Sequence, residues 1–264
     1  MRTLLPIAAL LFAAPALAQT PEAPRAIAAS KIILVGDSTT AVIGGWGPSF
    51  CAYHVTSFAA CVNLARGGRS SGSYRAEGSW ELALAEMRAP GYKNIWVLIQ
   101  FGHNDQPGKP GRSTDLATEF PANMARYVDE VRAAGAKPVL LTPLTRRMFT
   151  DGKLQNDLEP WAAAIRKVAA EKKVPLLDLN AESSAAVQAM GEAAADRFAQ
   201  LPPGSAPIAP APAATTEVEV QPMAQPRMSF DRTHLGIEGA NYFATMVTRE
   251  LAAAVPEMRP LLVR

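Results

Sequence analysis

The segment Lys31-Ile32-Ile33-Leu34-Val35-Gly36-Asp37-Ser38-Thr39-Thr40 constrains this chain more than any other. Its apolar, β-branched run shows no polar alternation, which predicts a strand covered on both faces rather than one with a wet side. Such strands build parallel sheets joined by helical crossovers. The run stops at Gly36-Asp37-Ser38, so a serine stands just past the carboxyl end of a strand, the edge at which open α/β sheets bind ligands. Ser38 is therefore the candidate nucleophile. A serine hydroxyl is a poor nucleophile alone, so the rest of the chain has to supply a base, a group that orients it, and donors for an oxyanion.

Further strands are expected at Val62-Asn63-Leu64-Ala65, Asn94 to Gln100, Pro138 to Thr142 and Pro175 to Leu179. Helices are expected from Pro48 to about Ala59, with the proline in the first turn, and from Ser79, as N-cap, to Arg88. A long helix ending at Gly135 carries Met124, Tyr127, Val128 and Val131 at i, i+3, i+4, i+7 spacing. Trp161, Ile165, Val168 and Ala169 mark another, Glu182 to Gln200 a further one, and Phe243, Met246, Val247 and Leu251 line the last. This alternation predicts a three-layer α/β/α sandwich with a central five-stranded parallel sheet, a single domain over residues 31–264. Residues 201–226, dense in proline and alanine, read as an inserted loop.

The first eighteen residues have the form of a secretory signal peptide. Arg2 precedes an apolar run, and Ala16-Leu17-Ala18 before Gln19 is a small-residue cleavage pattern, too short overall for a membrane span. The expected product is exported, periplasmic or secreted, with residues 19–30 as a flexible lead-in. Without Arg2 the formal charge falls from +2 to +1, which points away from nucleic acid and an anionic membrane surface as partners, and no later segment is long and apolar enough to predict membrane insertion after cleavage. In an oxidising compartment Cys51 and Cys61 are expected to pair, the alternative being two separate buried thiols.

Three polar loops follow the first three strands: Gly36-Asp37-Ser38, Gly67-Gly68 and Gly102-His103-Asn104-Asp105. In a parallel sheet they share one edge, and the helix after Ser38 turns its N–H groups toward that edge. The chain has three histidines. His54 falls within a helix and reads as a packing or surface residue, and His103 shares a tight turn with Asn104. His234 follows Asp231 by three positions, a spacing that lets the carboxylate accept from Nδ1–H and leaves Nε2 free to take the Ser38 proton. The same spacing also suits an Asp231 that caps the last helix above a surface histidine.

Other readings stay open at this stage. Gly68-Arg69-Ser70-Ser71-Gly72 fits the nucleophile elbow of α/β-hydrolases, which would make Ser70 the nucleophile. Gly102-His103-Asn104-Asp105 is close to a metal-binding Gly-Asn-His motif of phosphoesterases, although the histidine count leaves too few ligands for two metals. A non-catalytic glycan-binding protein on the same scaffold, or an esterase or lipase of broad small-ester specificity, would carry the same patterning.

Taken together, Gly36-Asp37-Ser38-Thr39, Gly68, Gly102-His103-Asn104-Asp105 and Asp231-Arg232-Thr233-His234 resemble, in order and spacing, the four sequence blocks of SGNH hydrolases, the GDSL-type esterases. Ala65 to Ser71, Gln100 to Asp105 and Leu141 to Arg147 resemble one branch, the bacterial rhamnogalacturonan acetylesterases. The resemblance implies a flavodoxin-like SGNH fold and deacetylation of a pectic polysaccharide through an acyl-enzyme. Its catalytic set is Ser38, His234 and Asp231. The oxyanion donors are the Ser38 and Gly68 N–H groups and the Asn104 amide, with His103 supporting the loop. It implies no metal and no organic cofactor, an acetylated polysaccharide or oligosaccharide as substrate, and a monomer. Trp46, Arg69, Tyr74, Arg146 and Arg147 lie on or near the loops at this edge and are candidate substrate contacts, arginine forks being suited to pectic carboxylates. The insertion at 201–226 departs from the family pattern.

Overall fold

The computed structural model describes residues 29–206 and 228–263. The expected signal segment, nearly all of the lead-in and residues 207–226 of the expected insertion lie outside the described residues. In chain order the elements are β1 (Ser30–Gly36), α1 (Gly47–Ser49), a π-helical turn (Phe50–His54), β2 (Ala59–Asn63), α2 (Ser73–Ala76), α3 (Ser79–Met87), β3 (Ile95–Gln100) and α4 (Glu119–Ala133). Then come β4 (Lys137–Leu141), a small hairpin of β5 (Phe149–Thr150) and β6 (Lys153–Leu154), α5 (Glu159–Lys172), β7 (Leu176–Leu177), α6 (Leu179–Met190), α7 (Glu192–Asp196) and α8 (Ile237–Ala254). None of the described helices is long and apolar enough to cross a membrane.

Five strands form one parallel sheet in the order β2-β1-β3-β4-β7, as the alternating pattern predicts. The odd and even residues of each strand feed two cores. Ile32 and Leu34 of β1, Trp96 and Leu98 of β3, and Val139 and Leu141 of β4 pack with α6 and α8 residues such as Val187, Phe243, Val247 and Leu251. Ile33, Val35, Val97, Ile99 and Leu140 pack with Trp80 and Met87 of α3, Met124, Tyr127, Val128 and Val131 of α4, and Ile165 and Val168 of α5. That double burial is why β1 has no polar alternation. Each such aliphatic side chain contributes about 1.5–3 kcal/mol on leaving water.

In this strand order the connection reverses direction between β1 and β3, the topological switch point where doubly wound sheets bind ligands. β1 and β3 end level, Gly36 opposite Gln100. A Cβ on Gly36 would lie 2.6 Å from the Gln100 carbonyl oxygen, so the close approach of the two strand ends requires glycine there.

Several boundaries differ from the sequence expectation. The helix expected from Pro48 to Ala59 ends at His54, and Val55 is extended. β2 starts earlier, at Ala59, and ends at Asn63, whose side chain leaves the sheet pattern to donate to the Thr40 carbonyl and accept from the Ala65 N–H. Gly78, at φ +82°, takes the N-cap position expected of Ser79, whose hydroxyl bonds Glu77 instead. The helix expected from Glu182 begins at Leu179 and breaks at Gly191, φ +76°, before α7. Cys51 and Cys61 are joined, with Cα atoms 5.4 Å apart.

Candidate active site

Ser38 follows β1 in a turn built by its neighbours. Asp37 is fully buried; its Oδ1 accepts the Thr39 N–H at 2.9 Å and the Thr39 hydroxyl at 2.8 Å, and its carbonyl accepts the N–H groups of Thr40 and Ala41. Ser38 alone in this turn is partly exposed. Burial works to raise the Asp37 carboxyl, but the nearby His103 and the Thr39 hydrogen bonds outweigh it and hold the carboxyl below its ordinary range. His103 Nδ1 stands 3.3 Å from Asp37 Oδ2, both groups buried, without hydrogen-bond geometry between them. His103 thus sits behind the Ser38 turn as an internal support.

Gln100, at the end of β3, knits this region together. Its Oε1 accepts from Thr40 Oγ1 at 2.6 Å and Trp46 Nε1 at 3.0 Å, and its Nε2 donates to the Thr142 carbonyl at 3.1 Å. Sequence reasoning passes over Gln100, since a glutamine closing an apolar run reads as the strand's end.

The second loop comes alongside through Arg66, whose N–H donates to the Gly36 carbonyl at 3.0 Å. A Cβ on Gly67 would lie 3.6 Å from Ser38 Cβ, so the Gly67-Gly68 turn borders the serine. Gly68 has φ +79°, a backbone conformation that side chains disfavour. Asn104 is buried in the third loop, its Nδ2 donating to the Arg69 carbonyl at 3.1 Å. Arg112, absent from the sequence reading, reaches both loops: its Nη1 lies 3.4 Å from the Gly68 carbonyl and 3.4 Å from Asn104 Oδ1. Asp105 fastens the loops together, accepting the Ser71 N–H at 3.0 Å, the Ser71 hydroxyl at 2.6 Å and the Thr114 hydroxyl at 2.9 Å.

The turn 231–234 approaches from the C-terminal side. Asp231 Oδ1 accepts the N–H groups of Thr233 and His234, and Oδ2 lies 2.9 Å from His234 Nδ1. Both side chains are about one-third exposed, 33% and 36%. Burial raises the Asp231 carboxyl, and the hydrogen bonds and charge of His234 more than reverse that, leaving it below the ordinary range. The Leu235 N–H donates to the Gly44 carbonyl at 2.9 Å, and a Cβ on Gly44 would lie 3.2 Å from His234 Cδ2. The imidazole therefore lies against the loop that follows Ser38. Asp231 caps no helix, since α8 starts after Gly236.

Other sequence candidates belong elsewhere. Trp46 and Tyr74 are fully buried, the first on Gln100 and the second packed on Phe101 with its hydroxyl on the Leu64 carbonyl, so both are core and not substrate contacts. Arg147 is fully buried too, bonded to carbonyls of the 231–234 turn. Arg146 is engaged with Asp157 and Gln106, and Arg69 with Glu77 and the Gly67 carbonyl. Ser70 is fully buried and its hydroxyl bonds the hydroxyl and N–H of Ser73, with no imidazole among its hydrogen-bond partners, which counts against the elbow reading. His54 bonds the Val263 carbonyl, outside these loops. Among the described residues no three or more ligating side chains gather as a metal site would need.

Comparison with known proteins agrees with this architecture. A model of the GDSL-like lipase/acylhydrolase family matches residues 34–207. The probable rhamnogalacturonan acetylesterase YesY of Bacillus subtilis is 34% identical over 171 residues, covering 62% of this chain and 76% of that protein. Rhamnogalacturonan acetylesterase RhgT of the same organism is 34% identical over 169 residues, 61% of this chain and 69% of that one. Among solved structures, YxiM of B. subtilis aligns with a TM-score of 0.64 at 25% identity over 86% of this chain, which spans 57% of the YxiM chain. The acetylxylan esterase Axe2 of Geobacillus stearothermophilus aligns at TM-score 0.55 and 18% identity, over 86% of this chain and 96% of Axe2, a likeness of fold.

Proposed function

The chain belongs to the GDSL-like lipase/acylhydrolase family and is a carboxylic-ester hydrolase, and from that premise we propose that it removes acetyl groups from an acidic, pectic polysaccharide with Ser38, His234 and Asp231 as its catalytic set. The observation that carries the proposal is the Asp231–His234 pair lying against the loop that leaves Ser38. In this reading Ser38 Oγ attacks the acetyl carbonyl while His234 Nε2 accepts its proton, and Asp231 holds the imidazole with Nδ1–H inward. The oxyanion receives the N–H groups of Ser38 and Gly68 and the Asn104 Nδ2–H that Arg69 leaves free. His234 returns its proton to the departing sugar oxygen. Water, deprotonated by the same imidazole, then releases acetate.

The acidic substrate rests on two supports. Of the relatives named above, RhgT is a rhamnogalacturonan acetylesterase and YesY a probable one. Arg112 lies beside Asn104, and Lys109 and Arg146 are near enough for the three charges to act on one another. Burial, then Arg146 and Arg112, hold the Lys109 ammonium below its ordinary range, and among the described residues only Arg146 of the three has a carboxylate partner, Asp157. Val42, Ile43 and Ile237, exposed on the segments that meet at Gly44 and Leu235, favour a second reading, a small-ester esterase with an apolar leaving group.

Acetate release from acetylated rhamnogalacturonan, acetylated xylan and 4-nitrophenyl acetate tests both parts. The pectic substrate should be preferred, and Ser38→Ala should lose on the order of 10³-fold or more on all three. Equal rates on xylan would sink the substrate, and an active Ser38→Ala protein the mechanism. Export is part of the same reading, and the N-terminus of the secreted product should be Gln19.

A further inference from the structure

Among the described residues most arginines meet carboxylates: Arg75 on Glu130, Arg166 on Asp178 and Glu159, Arg232 on Asp196 and Glu192. Arg147 does not. It is fully buried in the loop after β4, and no carboxylate lies within 4 Å of it among the described residues. Taking a guanidinium out of water without a counter-ion costs several kcal/mol unless hydrogen bonds offset it. The bonds it makes all go to one place. Nη2 donates to the carbonyls of Asp231 at 3.0 Å and His234 at 2.8 Å, and Nη1 stands 3.4 Å from that of Thr233. The Arg147 N–H adds a bond to the Arg232 carbonyl at 2.8 Å.

The turn 231–234 belongs to no helix or sheet, so its backbone groups need other partners. Its N–H groups at 233 and 234 are taken by Asp231 Oδ1, and its carbonyls by Arg147. The turn is closed from within by a carboxylate and from behind by a guanidinium. A lysine could reproduce this only in part, because its three donors radiate from one nitrogen and lack the planar fork that spans the three carbonyls from two.

We propose that Arg147 is a positioning residue for the ester hydrolysis: it clamps the turn so that Asp231 Oδ2 stays on His234 Nδ1 and Nε2 faces the Ser38 loop. The inference rests on the assignment of Ser38, His234 and Asp231 made above. Burial lowers the guanidinium to about 10, against the pull of Asp231 and Asp196, so it remains charged at neutral pH. The segment that carries the base thereby depends on β4, whose loop supplies the clamp.

The test uses the whole protein with 4-nitrophenyl acetate, comparing Arg147→Gln and Arg147→Lys, each alone and combined with His234→Ala. Displacement of reacting groups by about 1 Å costs on the order of 10²-fold. Arg147→Gln should lose about that much in kcat with KM little changed, and Arg147→Lys should recover part of it. In the His234→Ala background the Arg147→Gln change should cost almost nothing further, since a clamp has no effect once its cargo is gone. Proton NMR gives a second readout that needs no turnover. The low-field His234 Nδ1–H signal, identified by its absence in His234→Ala, should weaken or move in both Arg147 variants.

An Arg147→Gln protein with full kcat, an equal loss with and without His234, or an unmoved His234 signal would each overturn the clamp. If Arg147→Gln does not fold, Arg147→Lys is judged by the same three criteria. A wild-type protein without Ser38-dependent turnover would overturn the catalytic assignment instead, and the NMR comparison would still decide on Arg147.

Discussion

Asp105 shows how much a residue that touches no reacting atom can govern this site. It ties the Asn104 loop to Ser71 and Thr114, and burial, opposed by those hydrogen bonds, raises its carboxyl to about 6. The fold therefore favours the protonated acid. The stability this contributes is complete below the unfolded value of about 4 and is lost as pH rises through about 6. Asp105→Asn removes the loss, so between about pH 4 and pH 8 the difference in stability should move toward the variant by up to about 3 kcal/mol. Urea midpoints across that range measure it, and a difference that stays flat would count against the raised carboxyl. At this scale the loops of Ser38 and Asn104 and the Asp231–His234 pair were legible as neighbours, because polar residues after apolar strands of one parallel sheet share an edge and a three-residue spacing lets a carboxylate reach an imidazole. Trp46, Tyr74 and Arg147 were misread because closeness in sequence to a site loop says nothing about direction. All three turn inward. Arg112 left no signal and Gln100 showed only as the first residue of a motif, because each acts through contacts with segments distant in sequence.

At the scale of elements, every strand and every helical stripe named from the sequence exists, because each buried face is written as a periodicity. Ends were harder. The helix after Pro48 was read too long since nothing local marks Val55 as a stop, and β2 was read late because Asn63 leaves the ladder through a side-chain bond to Thr40. Helix α6 breaks at a glycine that a periodicity argument treats as one more small residue. The disulfide joins the π-helical turn to β2 across ten positions. Closing a loop of that size contributes about 3 kcal/mol in the chain-entropy account. A Cys51→Ala, Cys61→Ala protein should lose about that much stability in urea. Its kcat should be unchanged, since neither element carries a proposed site residue. A drop in kcat at full folding would show that β2 and the turn do more than brace the edge of the sheet.

Seen whole, the molecule is nearly neutral, with a formal charge of +2, while Arg112 reaches the Gly68 and Asn104 loops and lies close enough, with Arg146, to depress the Lys109 ammonium. A local field of this kind acts on an anionic substrate and is screened within about 10 Å at 0.1 M salt. Deacetylation of an acidic polysaccharide should slow several-fold in kcat/KM between low and moderate ionic strength, while 4-nitrophenyl acetate should be unaffected. Arg112→Gln should flatten the salt dependence. Equal salt sensitivity for the neutral ester would point to an effect on the protein itself.

The turn that bears His234 lies immediately ahead of the final long helix, nearly two hundred positions after the serine. A ribosome therefore releases Ser38 well before His234. If Ser38, His234 and Asp231 are the catalytic set we propose, a product clipped ahead of Asp231 holds a hydroxyl with nothing to activate it. On that assignment hydrolytic competence waits for the segment ahead of α8 to seat, and chains cut short of it should be inert toward esters around them.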